Sequence, residues 1–522
     1  MISFSDFDKK LVIPTWLSYA DASKGHELTF PRNGDPFTLN ARTRRQFILD
    51  YQEFKKIPTA HRAADIMGAA FVVGETELAQ EFARFIVSSN GLRKPAYELA
   101  DYILRGFHDN PIQGDIRSRI SRNKGLLREF PQNAIGWIQH ARLYTILGQV
   151  SKAESCIRIA VNLAPYDRYV VRSAVRFFIH AGDPESAWHY VKRASSIGFD
   201  PWIKATEIGV GELIQKHVKR IKNNVSPSAS PSELYHNSEL IESIGMLELL
   251  NGNDHRAKKH FKQAWLNPSK NVVTHSEWIV RNRFPDLIDL AKPNFGESLE
   301  ASTWQFFSTL RIKEAIEVAC EWALEEPFSK RPFALGSSLS CANGDYDRAM
   351  RMAREGLRAN PKDFILQNNL CVSLLKLNRL ADAEVEFAKM PVRTSVRDEI
   401  IYSATKGLVE FKRRNFLAGR SLYLEAIAKA TDAGEKILAS KALLYLAIAE
   451  VEAEVPGASL TADESMKATE KGNMPDIILA RAALLAARES HREEPTIAKL
   501  PDHLKHFDKI VILPRHLLPP SK

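Results

Sequence analysis

The sequence has few cysteines, no close cysteine pair and no long apolar run. Its 522 residues include four cysteines, and none stands at the short CxxC spacing that zinc and iron–sulfur sites need. No window approaches the roughly 18 to 20 apolar residues of a membrane span. The opening residues, MISFSDFDKK, carry acids where a signal peptide would have basic residues. These absences predict a soluble, cytoplasmic protein that neither crosses nor binds a membrane.

Motifs that carry catalysis or cofactor binding are also absent. The sequence holds no GxxxxGK[ST] phosphate loop, no GxGxxG after a strand and no GxSxG nucleophile turn. Its 15 histidines include no HExxH. We therefore expect no cofactor, no metal and no catalytic residue. An enzyme whose site is assembled from distant residues is the weakest of three alternatives.

The net positive charge comes from one half of the chain. The net charge is +9, and residues 1–270 hold 37 Lys and Arg against 28 Asp and Glu, whereas residues 271–522 hold 35 of each. Part of the excess lies in the basic segment 115–130, DIRSRISRNKGLLREF, which has almost no aromatic residue. Binding of nucleic acid favours basic residues on one face with aromatics between them. The segment is therefore interpreted as a solvated helix face, with a nucleic acid site as the alternative.

Internal repetition is the strongest pattern in the chain. Matching positions Gly148 and Gly182, and likewise Ala153 and Ala187, are 34 residues apart, which is the tetratricopeptide period. Further copies follow the same order of small, aromatic and turn residues: Gly252, Ala257, Phe261 and Ala264; Ala315 and Ala319; Gly344, Tyr346, Ala349 and Ala353; Leu370, Leu374, Ala383 and Phe387. The spacing predicts paired helices that cannot bury their apolar faces alone and must stack.

These residues resemble the tetratricopeptide repeat family, clearly over 132–199 and 331–391 and more loosely over about 60–430. The resemblance implies an all-α, right-handed superhelical solenoid of helical hairpins whose first helices line a concave groove for partner segments. Each turn glycine is expected in the left-handed conformation that a Cβ disfavours. One repeat departs from the pattern, because Leu310 stands at its turn position.

The pattern predicts the following organisation. A partly extended N-terminal extension spans 1–58, a basic array 59–224, a Ser/Pro-rich linker 225–232, a second array 233–430, capping helices 431–494 and a C-terminal tail 495–522. Two β-branched runs beside prolines, LVIPTWL at 11–17 and IVIL at 510–513, make both terminal extensions non-helical. Each run either lies on the solenoid or adds a strand to the sheet of a partner.

Groove-facing positions of the first array are unusually basic. The repeat geometry places Arg142 in one first helix and Tyr169, Arg172 and Arg176 in the next, with His180 one turn further. Guanidinium groups at this spacing can bind carboxylates or phosphates with two hydrogen bonds each. The alternative is that these arginines are solvated or pair with a glutamate of a neighbouring helix.

In the second array the same positions carry Asn368, with Asn369 beside it. Asparagine is a poor residue for a helix interior, and its amide can both donate to and accept from a peptide backbone. The leading hypothesis is therefore a scaffold that binds an acidic or extended segment of a protein partner in the groove. The alternative is a regulatory or sensor subunit that binds nucleic acid through its basic first half and controls a separate effector enzyme.

Overall fold

The described part of the chain is helical almost throughout. The computed structural model describes residues 11–18, 51–73, 76–89, 96–97, 100, 103–104, 116–196, 198–216, 231–287, 298–472 and 474–490. Over these ranges the structure has helices and short turns but no strand, which confirms the predicted all-α class. No helix within them is long and apolar enough to cross a membrane. The same ranges contain no cluster of His, Cys, Asp and Glu that could hold a metal ion.

The chain divides into two compact units. The first unit holds residues 10–298 and 324–327, and the second holds 299–323 and 328 onward. The helices that begin in the first unit are α1 (Ala60–Val73), α2 (Thr76–Val87), α3 (Ile116–Glu129), α4 (Ala134–Ile146), α5 (Val150–Leu163), α6 (Arg168–His180), α7 (Pro184–Ser195), α8 (Pro201–Leu213), α9 (Pro231–Leu250), α10 (Asp254–Ala264) and α11 (Lys270–Asn282). Those that begin in the second unit are α12 (Leu299–Ser308), α13 (Ile312–Glu325), α14 (Lys330–Ala342), α15 (Tyr346–Ala359), α16 (Phe364–Lys376), α17 (Leu380–Phe387), α18 (Val396–Lys412), α19 (Phe416–Asp432), α20 (Lys436–Glu452), α21 (Ala458–Ala468) and α22 (Pro475–Ser490).

Consecutive helices pack as hairpins around small residues. In six hairpins the second helix carries an alanine near its start, at the positions that the repeat predicts. These alanines are completely buried: Ala153, Ala187, Ala257, Ala315, Ala349 and Ala383. Without a longer side chain at this point, the backbones of the paired helices approach closely enough to bury the larger apolar residues on either side.

Left-handed residues end the first helices as predicted. The turn glycines Gly148, Gly182, Gly252 and Gly344 have φ values of 69°, 78°, 76° and 78°. Leu310, which replaces the glycine in its repeat, also has a positive φ, of 62°. The hairpin geometry therefore imposes the turn even where the residue carries a Cβ, which strains that turn.

Side-chain caps start many of the helices. The carboxylates of Asp167, Asp183 and Asp363 each accept a hydrogen bond from a backbone N–H in the first turn that follows. Such a cap satisfies a donor that the helix itself leaves without a partner, and it contributes about 1 kcal/mol.

The predicted organisation of the chain can be placed only in part. Most of the linker 225–232 lies outside the described residues, and its last two residues begin α9. The C-terminal tail 495–522 also lies outside them. The helices α20, α21 and α22 occupy the stretch that was predicted to cap the array.

Residues 11–18 form neither helix nor strand, and Val12, Pro14, Trp16 and Leu17 are buried. The boundary between the two units follows α11, and the linker and domain assignments stay predictions.

Candidate functional site

An extended stretch of the chain lies against the predicted groove residues of the first unit. We call residues 11–18 the N-terminal segment, and the residues that contact it the segment site. The segment site comprises Arg142 of α4, Tyr169 and Phe177 of α6, and Gly209 of α8, together with Gln139 of α4, which hydrogen-bonds Tyr169. The segment and its site are therefore far apart in sequence but meet within one unit.

Arg142 binds the backbone of the segment. Its Nε donates a hydrogen bond to the carbonyl oxygen of Trp16 at 3.2 Å, and its Nη2 donates to the carbonyl oxygen of Glu325 at 2.7 Å. The side chain is buried, with 5% of its surface exposed. A guanidinium has several donors in a fixed plane, so one arginine can serve two carbonyl oxygens from different parts of the chain.

Tyr169 binds the next carbonyl of the segment. Its hydroxyl donates to the carbonyl oxygen of Leu17 at 3.1 Å and accepts a hydrogen bond from Nε2 of Gln139 at 2.5 Å. The amide of Gln139 thereby orients the phenol toward the segment. Arg142 and Tyr169 thus donate hydrogen bonds to two successive backbone carbonyls. These contacts require an extended backbone and no particular side chain.

Close approach and an aromatic anchor complete the segment site. A Cβ at Gly209 would lie 2.7 Å from the carbonyl oxygen of Val12, so only glycine allows the segment to pass over α8 at this point. Trp16 is completely buried, and its ring meets that of Phe177 edge to face, with centroids 6.1 Å apart. This geometry is favourable for aromatic pairs.

Arg172 lies deeper and pairs with a glutamate of another helix. Its Nη1 is 2.8 Å from a carboxylate oxygen of Glu239 in α9, and only 7% and 1% of the two side chains are exposed. Its guanidinium carbon also lies 4.9 Å from the ring centroid of Trp202. Glu239 accepts further hydrogen bonds from Ser269 at 3.1 Å and from Asn271 at 2.6 Å. The pairing that the sequence left as an alternative is therefore present at Arg172.

Arg176 and His180 continue along α6. Arg176 is buried, and this burial lowers the pKa of its guanidinium, while the nearby carboxylate of Glu326 acts in the opposite direction. His180 lies in the last turn of the helix and is half-buried. The structure thus brings Arg142 and Tyr169 to the N-terminal segment, whereas Arg172 and Arg176 lie beside carboxylates. The prediction that these residues bind a partner remains a prediction.

Asn368 and Asn369 belong to the second unit and join helices there. Nδ2 of Asn369 donates to the hydroxyls of Ser337 at 2.8 Å and Ser338 at 3.2 Å in α14. Oδ1 of Asn368 accepts from the hydroxyl of Thr405 at 2.6 Å in α18. Both asparagines are buried. In this structure their amides therefore hydrogen-bond neighbouring helices.

A cavity of about 510 Å³ lies within the second unit. Two lysines reach into it, and each pairs with a carboxylate: Lys376 with Glu452, and Lys441 with Asp476, the latter at 2.6 Å. Burial also raises the pKa of Tyr346, at the edge of the cavity, to about 12. Because each of these lysines pairs with a carboxylate, the charges of the cavity favour neither an anionic nor a cationic ligand.

Sequence reasoning missed several residues of the segment site. Gln139 and Phe177 resemble ordinary helix residues in the sequence, as does Glu239, the partner of Arg172 outside the segment site. Gly209 did carry a signal, because a glycine inside a helix destabilises it and is often retained where another backbone approaches closely.

The comparisons with known proteins are limited to distant structural likeness. No family model matches the sequence, and no curated protein matches it. Similar solved structures include yeast Tom70, with 14% identity over 83% of this chain and 96% of that chain and a TM-score of 0.26. Another is the APC/C hetero-tetramer Cut9–Hcn1, with 10% identity over 88% of this chain and 96% of that chain and a TM-score of 0.32.

Both TM-scores are below 0.5, so the fold assignment rests on the hairpins, the buried alanines and the left-handed turns of this chain itself. The fold is an array of tetratricopeptide-like hairpins. Arrays of this kind bury their core between neighbouring repeats and leave long helix faces available for other chains.

Proposed function

We propose that the protein is a non-enzymatic scaffold that binds an extended segment of a protein partner at the segment site. The observation that carries the proposal is that two successive backbone carbonyls, of Trp16 and Leu17, accept hydrogen bonds from Arg142 and Tyr169. A second extended chain offers the same carbonyls at the same spacing. The N-terminal segment is then the intramolecular occupant, which a partner segment replaces.

The surroundings favour an extended segment with an aromatic anchor over a purely acidic one. Arg172 and Arg176 lie beside the carboxylates of Glu239 and Glu326, so much of their charge is compensated within the unit. The remaining features of the site are donors for backbone carbonyls and an apolar position filled by the ring of Trp16. Because packed helices hold these groups in place, binding requires little ordering of the site itself.

A labelled peptide tests the proposal. A fluorescent peptide with the sequence of residues 10–19, KLVIPTWLSY, is titrated into the full-length chain and into its Trp16→Ala variant, with fluorescence anisotropy as the measurement. In the unmodified chain the tethered segment competes at an effective concentration in the millimolar range. We therefore expect weak binding there and at least tenfold tighter binding to the Trp16→Ala variant.

A matched pair of tyrosines supplies the control. In the Trp16→Ala background, Tyr169→Phe removes one hydrogen bond to the segment, worth about 1 kcal/mol or roughly fivefold in affinity. Tyr190→Phe makes the same chemical change in α7, where the ring stacks on Phe178, and should leave affinity unchanged. Equal affinities of the two phenylalanine variants, or equal binding by the unmodified and Trp16→Ala chains, would contradict the proposal.

A further inference from the structure

A second cavity lies in the first unit, among α3, α4 and α5. Its volume is about 340 Å³, which is at the lower end of the range for small-molecule sites. The residues that line it are Lys124, Leu127, Arg128, Trp137, His140, Tyr144, Lys152, Ser155 and Cys156. We call this cavity the α3–α5 cavity. Its lining combines three cations with three aromatic rings.

The aromatic rings form a ladder along one face of α4. Trp137, His140 and Tyr144 follow one another at intervals of three and four residues, so they lie on the same side of the helix. The ring centroids of Trp137 and His140 are 6.3 Å apart, and those of His140 and Tyr144 are 4.7 Å apart. Trp137 is fixed by a hydrogen bond of 2.8 Å from its Nε1 to the carbonyl oxygen of Pro131.

Cations border the ladder on both sides. Lys124 and Arg128 come from α3, and Lys152 comes from α5 with its Nζ 5.6 Å from the centroid of the Tyr144 ring. None of the described residues that line the cavity is acidic. The basic helix α3 itself has five Lys and Arg and one acidic residue, Glu129. The cavity therefore attracts an anion.

His140 supplies a buried polar atom without a partner. Only 4% of this residue is exposed, and its Nδ1 makes no hydrogen bond within the described structure. Burial, and second to it the charge of Lys124, lower the pKa of the imidazole, which favours its neutral form. A buried polar atom that lacks a hydrogen bond destabilises the fold, and a ligand in the cavity can provide the missing partner.

We propose that the α3–α5 cavity binds a nucleotide unit of a single-stranded nucleic acid. The base stacks on the ring of Trp137 or Tyr144, each of which meets His140 edge to face, and the edge of the base points toward Nδ1 of His140. The phosphates meet Lys124, Arg128 and Lys152. Stacking on aromatic side chains beside a cationic track is how proteins bind single strands without reading sequence. Arg117 lies on the same face of α3 as Lys124 and Arg128, so the cationic track continues beyond the cavity. This inference is independent of the proposed scaffold function.

The combination of groups favours a nucleic acid over an acidic peptide. Carboxylates of a peptide would satisfy the cations but would leave the aromatic ladder without a flat partner. A base has such a face and also offers ring nitrogens and exocyclic groups that can hydrogen-bond Nδ1 of His140. The sequence segment 115–130 has a single aromatic residue, Phe130, at its end, and the neighbouring helix α4 supplies the rings of the cavity.

Fluorescence anisotropy with labelled single-stranded RNA and DNA oligonucleotides tests the site on the full-length chain. Three phosphate contacts predict a slope of about −2 in a plot of log affinity against log salt concentration, or roughly an 18-fold loss between 50 and 200 mM. Binding that does not respond to salt, or no binding of either oligonucleotide at 50 mM, would overturn the proposal.

Two double variants with the same change in net charge distinguish binding at the cavity from general electrostatic attraction of the oligonucleotide to the protein. Lys124→Glu with Lys152→Glu reverses two cations at the cavity, and Lys259→Glu with Lys262→Glu reverses two exposed lysines of α10. Both change the net charge by −4. We expect the first pair to weaken binding at least tenfold more than the second. Equal losses in the two double variants would refute the assignment to this cavity.

Two further measurements test the ladder and the histidine. An oligonucleotide of the same length with abasic positions should bind about tenfold more weakly if its bases stack on the aromatic rings. His140→Leu should weaken binding without lowering the denaturation midpoint, because it replaces a ring with an unsatisfied buried nitrogen by an apolar side chain. Equal binding of the abasic oligonucleotide, or displacement by poly-glutamate at the same charge concentration, would overturn the proposal, because it would show a cationic surface that binds any polyanion.

Discussion

Removal of the Glu239 carboxylate should strongly destabilise the first unit. In Glu239→Ala, Arg172 loses the carboxylate that it pairs with at 2.8 Å while 7% of its own side chain is exposed. The donors of Ser269 and Asn271 lose their acceptor in the same change. Breaking a buried ion pair by removing one member costs about 3–5 kcal/mol, because the remaining charge stays buried.

Hydrogen–deuterium exchange of the full-length chain measures this effect locally. A loss of 4 kcal/mol corresponds to roughly a thousandfold rise in the local opening constant. We expect amides of α6 and α9 to exchange faster by about that factor, while amides of α20 in the second unit keep their rates. Urea unfolding should show the same loss in the transition of the first unit.

A double variant provides the control for Glu239→Ala. Replacing both charges together, as in Arg172→Met with Glu239→Leu, leaves no buried charge, and substitutions of this kind are often nearly neutral. We therefore expect the double variant to be more stable than Glu239→Ala by about 3 kcal/mol. A single variant that costs under about 1 kcal/mol, or a double variant that is no more stable, would refute a buried charge pair at this position.

Three other predictions concern single side chains. Trp16→Ala removes a completely buried ring and should weaken docking of the N-terminal segment by about 3–5 kcal/mol, so proteolysis within residues 11–18 should become fast while α20 stays protected. His140→Leu should raise the stability of the first unit by about 1 kcal/mol at pH 7.5 in urea unfolding. Because the pKa of His140 is lowered from 6.5 on folding, the unfolded chain takes up its proton first, and the unmodified chain should lose more stability than the variant as pH falls below about 6.5. Burial raises the thiol pKa of Cys156 to about 11 and of Cys371 to about 12, so both should resist iodoacetamide at pH 8 until the chain is unfolded, as mass spectrometry would show.

The repeat could be predicted because each of its residues has a local reason. The buried alanines and turn glycines recur at one period, and each satisfies a requirement of the helical hairpin itself. Leu310 shows the limit of this reasoning. Its φ of 62° is set by the hairpin around it and not by its own preference, so residue type alone would not place it in the left-handed region.

The candidate site was only partly predictable. The repeat position singled out Arg142 in one first helix and Tyr169 in the next, but it could not show what they contact, because the segment that meets them lies 126 and 152 residues earlier in the chain. The glutamate beside Arg172 comes from α9, whose position depends on packing that the periodicity does not specify. The sequence predicted that Asn368 and Asn369 hydrogen-bond a peptide. The same amides can hydrogen-bond side chains of neighbouring helices, as they do in this structure.

The separation between the N-terminal segment and its site determines how long the segment stays undocked during synthesis. The segment is synthesised before its site, because Gly209, over which the segment passes, follows Ser18 by about 191 residues. At roughly 5–20 residues per second, the segment waits on the order of 10–40 s before α8 exists. During that time the rings and branched side chains of LVIPTWL have no docking site of their own. Newly made chains therefore present an apolar stretch to chaperones until the first unit is complete.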